Sequence, residues 1–246
     1  MSNPVMCANG LVNNPNNWFN WVDIHCVPYT KIQMALFAGG CLMWVVAYAL
    51  LIHNTRKFKF MEMAAFAGAS NFAWETLWTW TFSPDIGQFM VWTYRAWFFL
   101  DIYIFYLLLS DGHKQIQNEY LKKYFTLWCI ASLAACTLIY YYFTRQGFDT
   151  PIGANTAYIC QIFISVLCFL LLLNAKSMNG FSFHFAWLRG FGTGANTVFM
   201  FLHYPENHFV QALGTISFVI DMGYLVLFIY KSRQSQSAPL AFATKS

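Results

Sequence analysis

The chain has 246 residues, of which 58% are hydrophobic, 20% aromatic and 10% charged, with a formal net charge of +4. Soluble domains carry about 25% charged residues, so a fold built for water alone is excluded. The positive balance comes from short flanks between apolar stretches and gives no reason to expect a nucleic-acid partner.

Residues 1–30 are polar and aromatic, lack the apolar core of a signal peptide, and read as an extramembrane segment. Cys7 and Cys26 share this segment and are a candidate disulfide. Trp18, Trp21 and Tyr29 suit an interfacial aromatic belt. Seven apolar stretches follow, at 32–53, 60–82, 88–110, 120–143, 153–174, 181–202 and 209–230. Each approaches the roughly 20 residues of an α-helix that crosses a bilayer. The expected fold is therefore an all-α, multi-pass bundle of seven transmembrane helices over residues 31–232. Residues 233–246 are expected to form a disordered cytosolic tail. Arg56, Lys57, Lys59, Lys114, Lys122, Lys123, Lys176, Lys231 and Arg233 all fall after odd-numbered stretches, while Lys31 and Arg145 flank the other side. That asymmetry puts the N-terminus outside or in a lumen and the C-terminus in the cytosol. The host membrane would be the endoplasmic reticulum in a eukaryote and the cytoplasmic membrane in a bacterium.

Cys41, Cys129, Cys136, Cys160 and Cys168 lie inside apolar stretches, where a cysteine acts as a small hydrophobe. No CxxC or HExxH spacing occurs, so neither a metal nor another cofactor is expected. Nothing in the sequence marks an obligate protein partner.

Ionisable groups within the stretches are the informative exceptions, because charge at bilayer depth is costly and normally faces a cavity or a partner. They are Glu75, Arg95, Asp101, His184, Arg189 and Asp221. Glu75 and Arg95 each lie about seven residues, roughly 10 Å, from one end of their helices, and Asp101 and Asp221 lie deeper. Helical spacing puts Asn71, Phe72, Trp78 and Thr79 on the face of Glu75. Tyr94, Trp97 and Ile104 share the face of Asp101, and Ser217, Phe218, Tyr224 and Leu225 that of Asp221. Interhelical hydrogen bonding would account for any one carboxyl alone. An ion pair of Glu75 with Arg95 would make that pair structural, whereas a carboxyl without counter-charge in hydrocarbon favours its neutral form and is a proton donor.

The aromatic residues fit such a donor. Ring faces attract cations by about 0.5–2 kcal/mol each, and an acid in a dry aromatic pocket has the parts that a carbocation cascade needs. No two acidic residues are adjacent, so no aspartate-rich cluster is present to hold magnesium and a diphosphate. Protonation of an epoxide or alkene requires neither.

With NFAWE in the second stretch and FVIDMGY in the last, the chain resembles the membrane-bound terpene cyclases of meroterpenoid and indole-diterpene biosynthesis, of the pyripyropene and paxilline pathway type. The resemblance covers residues from about 30 to 232. It implies that Glu75 and Asp221 are the essential acids and that Asn71 and Trp74 belong to the motif around Glu75. It also implies a hydrophobic prenylated substrate, protonated at a terminal epoxide or alkene and cyclised without metal. On this reading Glu75 is the general acid, Asp221 its hydrogen-bonded partner and Asp101 a third polar wall or a reprotonation route. Asn71, Trp74, Trp78, Tyr94, Arg95, Trp97, Asp101, Phe218 and Tyr224 are expected to contact substrate. The alternative is a seven-helix receptor or transporter with an intramembrane acidic ligand or proton site. No inverted repeat supports a transporter, and no lysine lies in the last stretch. A scaffolding protein gives three carboxyls in hydrocarbon little purpose. The GxxxG of Gly190 and Gly194 reads as a close helix contact.

Overall fold

The computed structural model describes residues 29–82, 84 and 88–237. Cys7, Cys26, Trp18, Trp21 and residues 238–246 lie outside the described residues. Eight α-helices are formed among those described: α1 (Lys31–Phe58), α2 (Ala65–Thr76), α3 (Gln88–Asp111), α4 (Glu119–Lys123), α5 (Phe125–Arg145), α6 (Ala154–Leu173), α7 (Phe183–His203) and α8 (His208–Ser237). α2 continues directly into a π-helical turn, Leu77–Thr81.

Local chemistry sets these limits. Thr30 and Gln33 form a reciprocal capping box that starts α1, and Lys59, in the left-handed region at φ 54°, ends it by donating its N–H to Thr55 O. Ser182 accepts from Phe185 N and starts α7. The fourth apolar stretch, expected as one helix, is divided. Asn118 caps the short α4 by accepting from Tyr120 N and Leu121 N, and Tyr124, at φ −104° and ψ 19°, separates it from α5.

α2 packs among α3, α5 and α6, while α1 lies along α7, and α8 closes against α6 and α7. The glycine pair on α7 serves the α7–α8 contact. A Cβ at Gly190 would stand 2.4 Å from Met222 Cε, and one at Gly194 2.8 Å from the Phe218 ring. At the opposite end of the sequence of contacts, Lys231 Nζ on α8 donates to the carbonyls of Leu172, Leu173 and Ala175 at the end of α6, a charged cap for otherwise unsatisfied acceptors.

Polarity runs inside-out. Leu42, Ile139, Val219 and Val226 are exposed, whereas Glu75, Asp101, Arg189 and Asp221 are at most 2% exposed. That distribution suits hydrocarbon as the outer solvent and polar contacts inside. Four helices, α1, α5, α6 and α8, are long and apolar enough to cross a membrane by length and composition. α2 is shorter, at 12 residues, and α3 and α7 carry Arg95, Asp101 and Arg189, which lower their hydropathy.

Candidate active site

Asn71 organises the site. It lies one turn before Glu75 on α2, and its Nδ2 donates to Glu75 Oε1 at 3.0 Å, to Asp101 Oδ2 on α3 at 2.5 Å and to Tyr48 Oη on α1 at 2.6 Å. An amide nitrogen has two hydrogens for these three acceptors, so one hydrogen is shared. Its Oδ1 accepts from Cys160 Sγ on α6 at 3.6 Å. One side chain thus ties four helices to the acid.

Asn71 Nδ2 bridges the carboxyls of Glu75 and Asp101. Glu75 Oε2 and Asp101 Oδ1 are buried and meet none of the surrounding N–H or O–H donors. The two carboxyls thus share one donor in a site without a counter-charge among their hydrogen-bond partners. Asn71 couples Glu75 to Asp101, while Asp221, expected as the partner of Glu75, meets Arg189 and Gln161.

Glu75 and Asn71 border a cavity of about 100 Å³ between α1, α2, α3, α6 and α7, with Asp101 behind them. Of the side chains expected to contact substrate, Asn71, Trp74, Tyr94 and Trp97 line it together with Glu75. Phe37, Trp44, Tyr48 and Tyr158 add four more rings. The rings are held in place by hydrogen bonds: Trp74 Nε1 donates to Gly153 O and Thr156 Oγ1, both at 3.1 Å, and Tyr94 Oη donates to Ile152 O at 3.1 Å. Tyr94 stacks on Trp97 at 5.7 Å and meets Trp74 edge-on at 5.2 Å. The loop carrying Gly153 is secured by Asp149, which accepts from Thr150 N, Asn155 N and Thr156 Oγ1. Burial pushes the Asp149 carboxyl up from its ordinary range, against those hydrogen bonds.

The remaining expected residues lie behind or away from the cavity wall. Trp78 packs on Gly153, which has φ +75° and would bring a Cβ within 2.3 Å of the indole. Phe218 packs on Gly194. The Arg95 guanidinium lies over the Trp92 and Trp80 rings at 4.8 and 5.5 Å, not beside Glu75. Asp221 belongs to a second buried cluster. Arg189 Nη2 is 3.1 Å from Asp221 Oδ1, and the guanidinium sits over the Tyr224 ring at 4.4 Å. Tyr224 Oη donates to Glu62 Oε1, and Glu62 Oε2 accepts from Ser182 N at 2.9 Å. Asp221 touches the cavity wall from behind: cavity-lining Gln161 donates to its Oδ2 at 3.3 Å, and the hydroxyls of Ser165 and Thr193 lie beside it.

Sequence reasoning missed Tyr48, Gln161, Thr193 and Asn196 as cavity residues. The available signal was an uncharged polar side chain in an apolar helix, as in ICQIF and TGANT; attention to charge alone passed over it.

The fold and site define an all-helical membrane protein with a carboxyl pair beside an aromatic cavity. The family model of the Pyr4-like transmembrane terpene cyclases matches residues 25–235, and the chain belongs to that family. It is also similar to the terpene cyclase ascF of Acremonium egyptiacum, at 24% identity over 245 aligned residues, covering 86% of this chain and 87% of the relative. No solved structure matches the chain.

Proposed function

We propose that the protein is a multi-pass cyclase that initiates ring closure by protonating a terminal epoxide or alkene of a prenylated, meroterpenoid-type substrate without metal. The carrying observation is the Glu75–Asp101 pair, joined through Asn71 beside a cavity walled by aromatic rings. Glu75 is the general acid. Its O–H proton passes to the epoxide oxygen, the C–O bond breaks toward that oxygen, and the carbon left electron-poor is attacked by the neighbouring alkene. Each ring closure moves the cation along the prenyl chain. Loss of a proton from the last cation to a carboxylate restores the acid, so the product is an isomer of the substrate. The rings lining the cavity stabilise the successive cations, and exclusion of water prevents their early capture. Asp221, the second acid implied by the resemblance, acts at one remove, since Gln161 and Thr193 stand between it and the cavity.

On this reading α1, α2 with its π turn, α3, α5, α6, α7 and α8 all cross the bilayer, with the N-terminal end outside or lumenal. The polar groups of α2, α3 and α7 then face their neighbours rather than lipid.

The test supplies membranes holding wild type or Glu75→Gln with a farnesylated phenol, with and without a terminal epoxide, and resolves products by mass and NMR. An isomeric cyclised product from wild type alone is the expected result. Conversion that survives Glu75→Gln overturns the assignment of the acid, and no conversion by wild type overturns the cyclase reading. Uptake or current in proteoliposomes would then identify a transporter.

A further inference from the structure

The cavity that Glu75 faces has a second polar wall on α6 and α7, which the acid chemistry does not use. Gln161 lines it, and its Nε2 donates to Ser165 Oγ at 3.1 Å and to Asp221 Oδ2 at 3.3 Å. Both amide hydrogens are thereby engaged, and Oε1 is left as an acceptor. The orientation is imposed, because an ionised carboxylate only accepts and would repel a flipped amide. Arg189, fully buried 3.1 Å from Asp221, keeps that carboxylate in place. Asn196, on α7, lines the same cavity, but its Oδ1 is buried against Gly40 on α1, without a donor. Folded interiors leave few such acceptors unsatisfied.

The wall formed by α2 and α3 has the opposite character. Trp97 lines the cavity there, and its Nε1 is a buried donor without an acceptor. An epoxide oxygen accepts hydrogen bonds and matches this wall. The α6–α7 wall asks for a donor.

Resting on the cyclase reading, we propose that Gln161 Oε1 forms the subsite for the polar head of the substrate, which must carry a hydrogen-bond donor such as a phenolic or enolic hydroxyl or a ring N–H. Asp221 is then a positioning residue: it fixes the Gln161 carboxamide and does not touch the reacting atoms.

Two unreactive ligands separate this from a structural role: a phenol bearing a saturated farnesyl chain, and its O-methyl ether. Each is titrated against the full chain in lipid nanodiscs, reading tryptophan fluorescence. Wild type is expected to bind the phenol on the order of tenfold more tightly than the ether, and Gln161→Met to bind both like the ether. Equal binding by wild type, or a preference that survives Gln161→Met, overturns the subsite. Asp221→Asn should erase the same preference, since an amide there can accept or donate and no longer orients Gln161. That variant also strips Arg189 of its counter-charge and can unfold the protein, so Gln161→Met, which leaves the ion pair whole, decides the matter. In turnover of the epoxidised phenol, Gln161→Met should raise KM and leave kcat within about threefold; a loss confined to kcat overturns the proposal. Wild type that prefers the phenol but cyclises nothing keeps the subsite and removes the cyclase reading. Wild type that cyclises phenol and ether alike does the reverse.

Discussion

Glu75 depends on its neighbours for any acidity it has in an apolar interior. Replacing it by Gln keeps the shape and the contact with Asn71 but removes the transferable proton. We expect kcat to fall by about 10²–10⁴-fold, with expression and melting temperature unchanged, measured on the nanodisc protein. Asn71→Leu acts differently. It leaves Glu75, Asp101 and Tyr48 without the donor they share, and should cost about 1–3 kcal/mol of stability, seen as a lower denaturation midpoint. The relation of Asn71 to Glu75 was legible in NFAWE, because residues four apart share a helix face. The partnership with Asp101 was not. Spacing assigns each acid a face but does not say which faces meet, so three carboxyls on three helices could be grouped in several ways. Packing chose Asp101 for Glu75 and Arg189 for Asp221.

The segment from α2 through the π turn to the start of α6 is the least regular part of the site. A π turn admits an extra residue per turn and commonly marks a functional position; here Leu77–Thr81 begins two residues after Glu75 and presents Trp78 to Gly153. Gly153→Ala forces a side chain into the left-handed region and against that indole. A loss of about 1–3 kcal/mol is expected, with a lower melting temperature as the readout. The adjoining cap is sensitive to pH. Because burial raises the Asp149 carboxyl, its contribution to stability is fullest below the unfolded carboxylate value and is lost as pH rises through the folded one. Asp149→Asn should flatten the slope of melting temperature against pH in this acidic window. Apolar run length located the long helices, though α1 and α8 continue past the expected ends to Phe58 and Ser237, and neither the α4–α5 break nor the π turn has a sequence signal of that kind. Both follow from side-chain hydrogen bonds and tertiary packing that a hydropathy profile averages away.

The whole molecule was legible as an all-helical membrane protein because its solvent writes the composition, while its interior, where polar groups gather, departs from the hydropathy rule. That departure is why α3 and α7 are less apolar than α1, α5, α6 and α8, whereas α2 falls short by its length of 12 residues. If seven helices cross, single cysteines introduced at Asn118 and Ser177 should be labelled by an impermeant reagent only from the cytosolic side, and one at Gln146 only from the other. Labelling of all three from one side removes the topology. The cavity carries a consequence for the membrane itself. Its volume is about 100 Å³, against roughly 300–1,000 Å³ for pockets that enclose drug-sized ligands. The proposed prenylated substrate would outsize it and enter only when the surrounding helices part, and what they push against is lipid. Acyl-chain order then becomes a kinetic variable of the enzyme: the same protein should turn over faster in a fluid, unsaturated bilayer than in a stiff, sterol-rich one, so that the cell's lipid composition sets the pace of a reaction whose chemistry never touches a lipid.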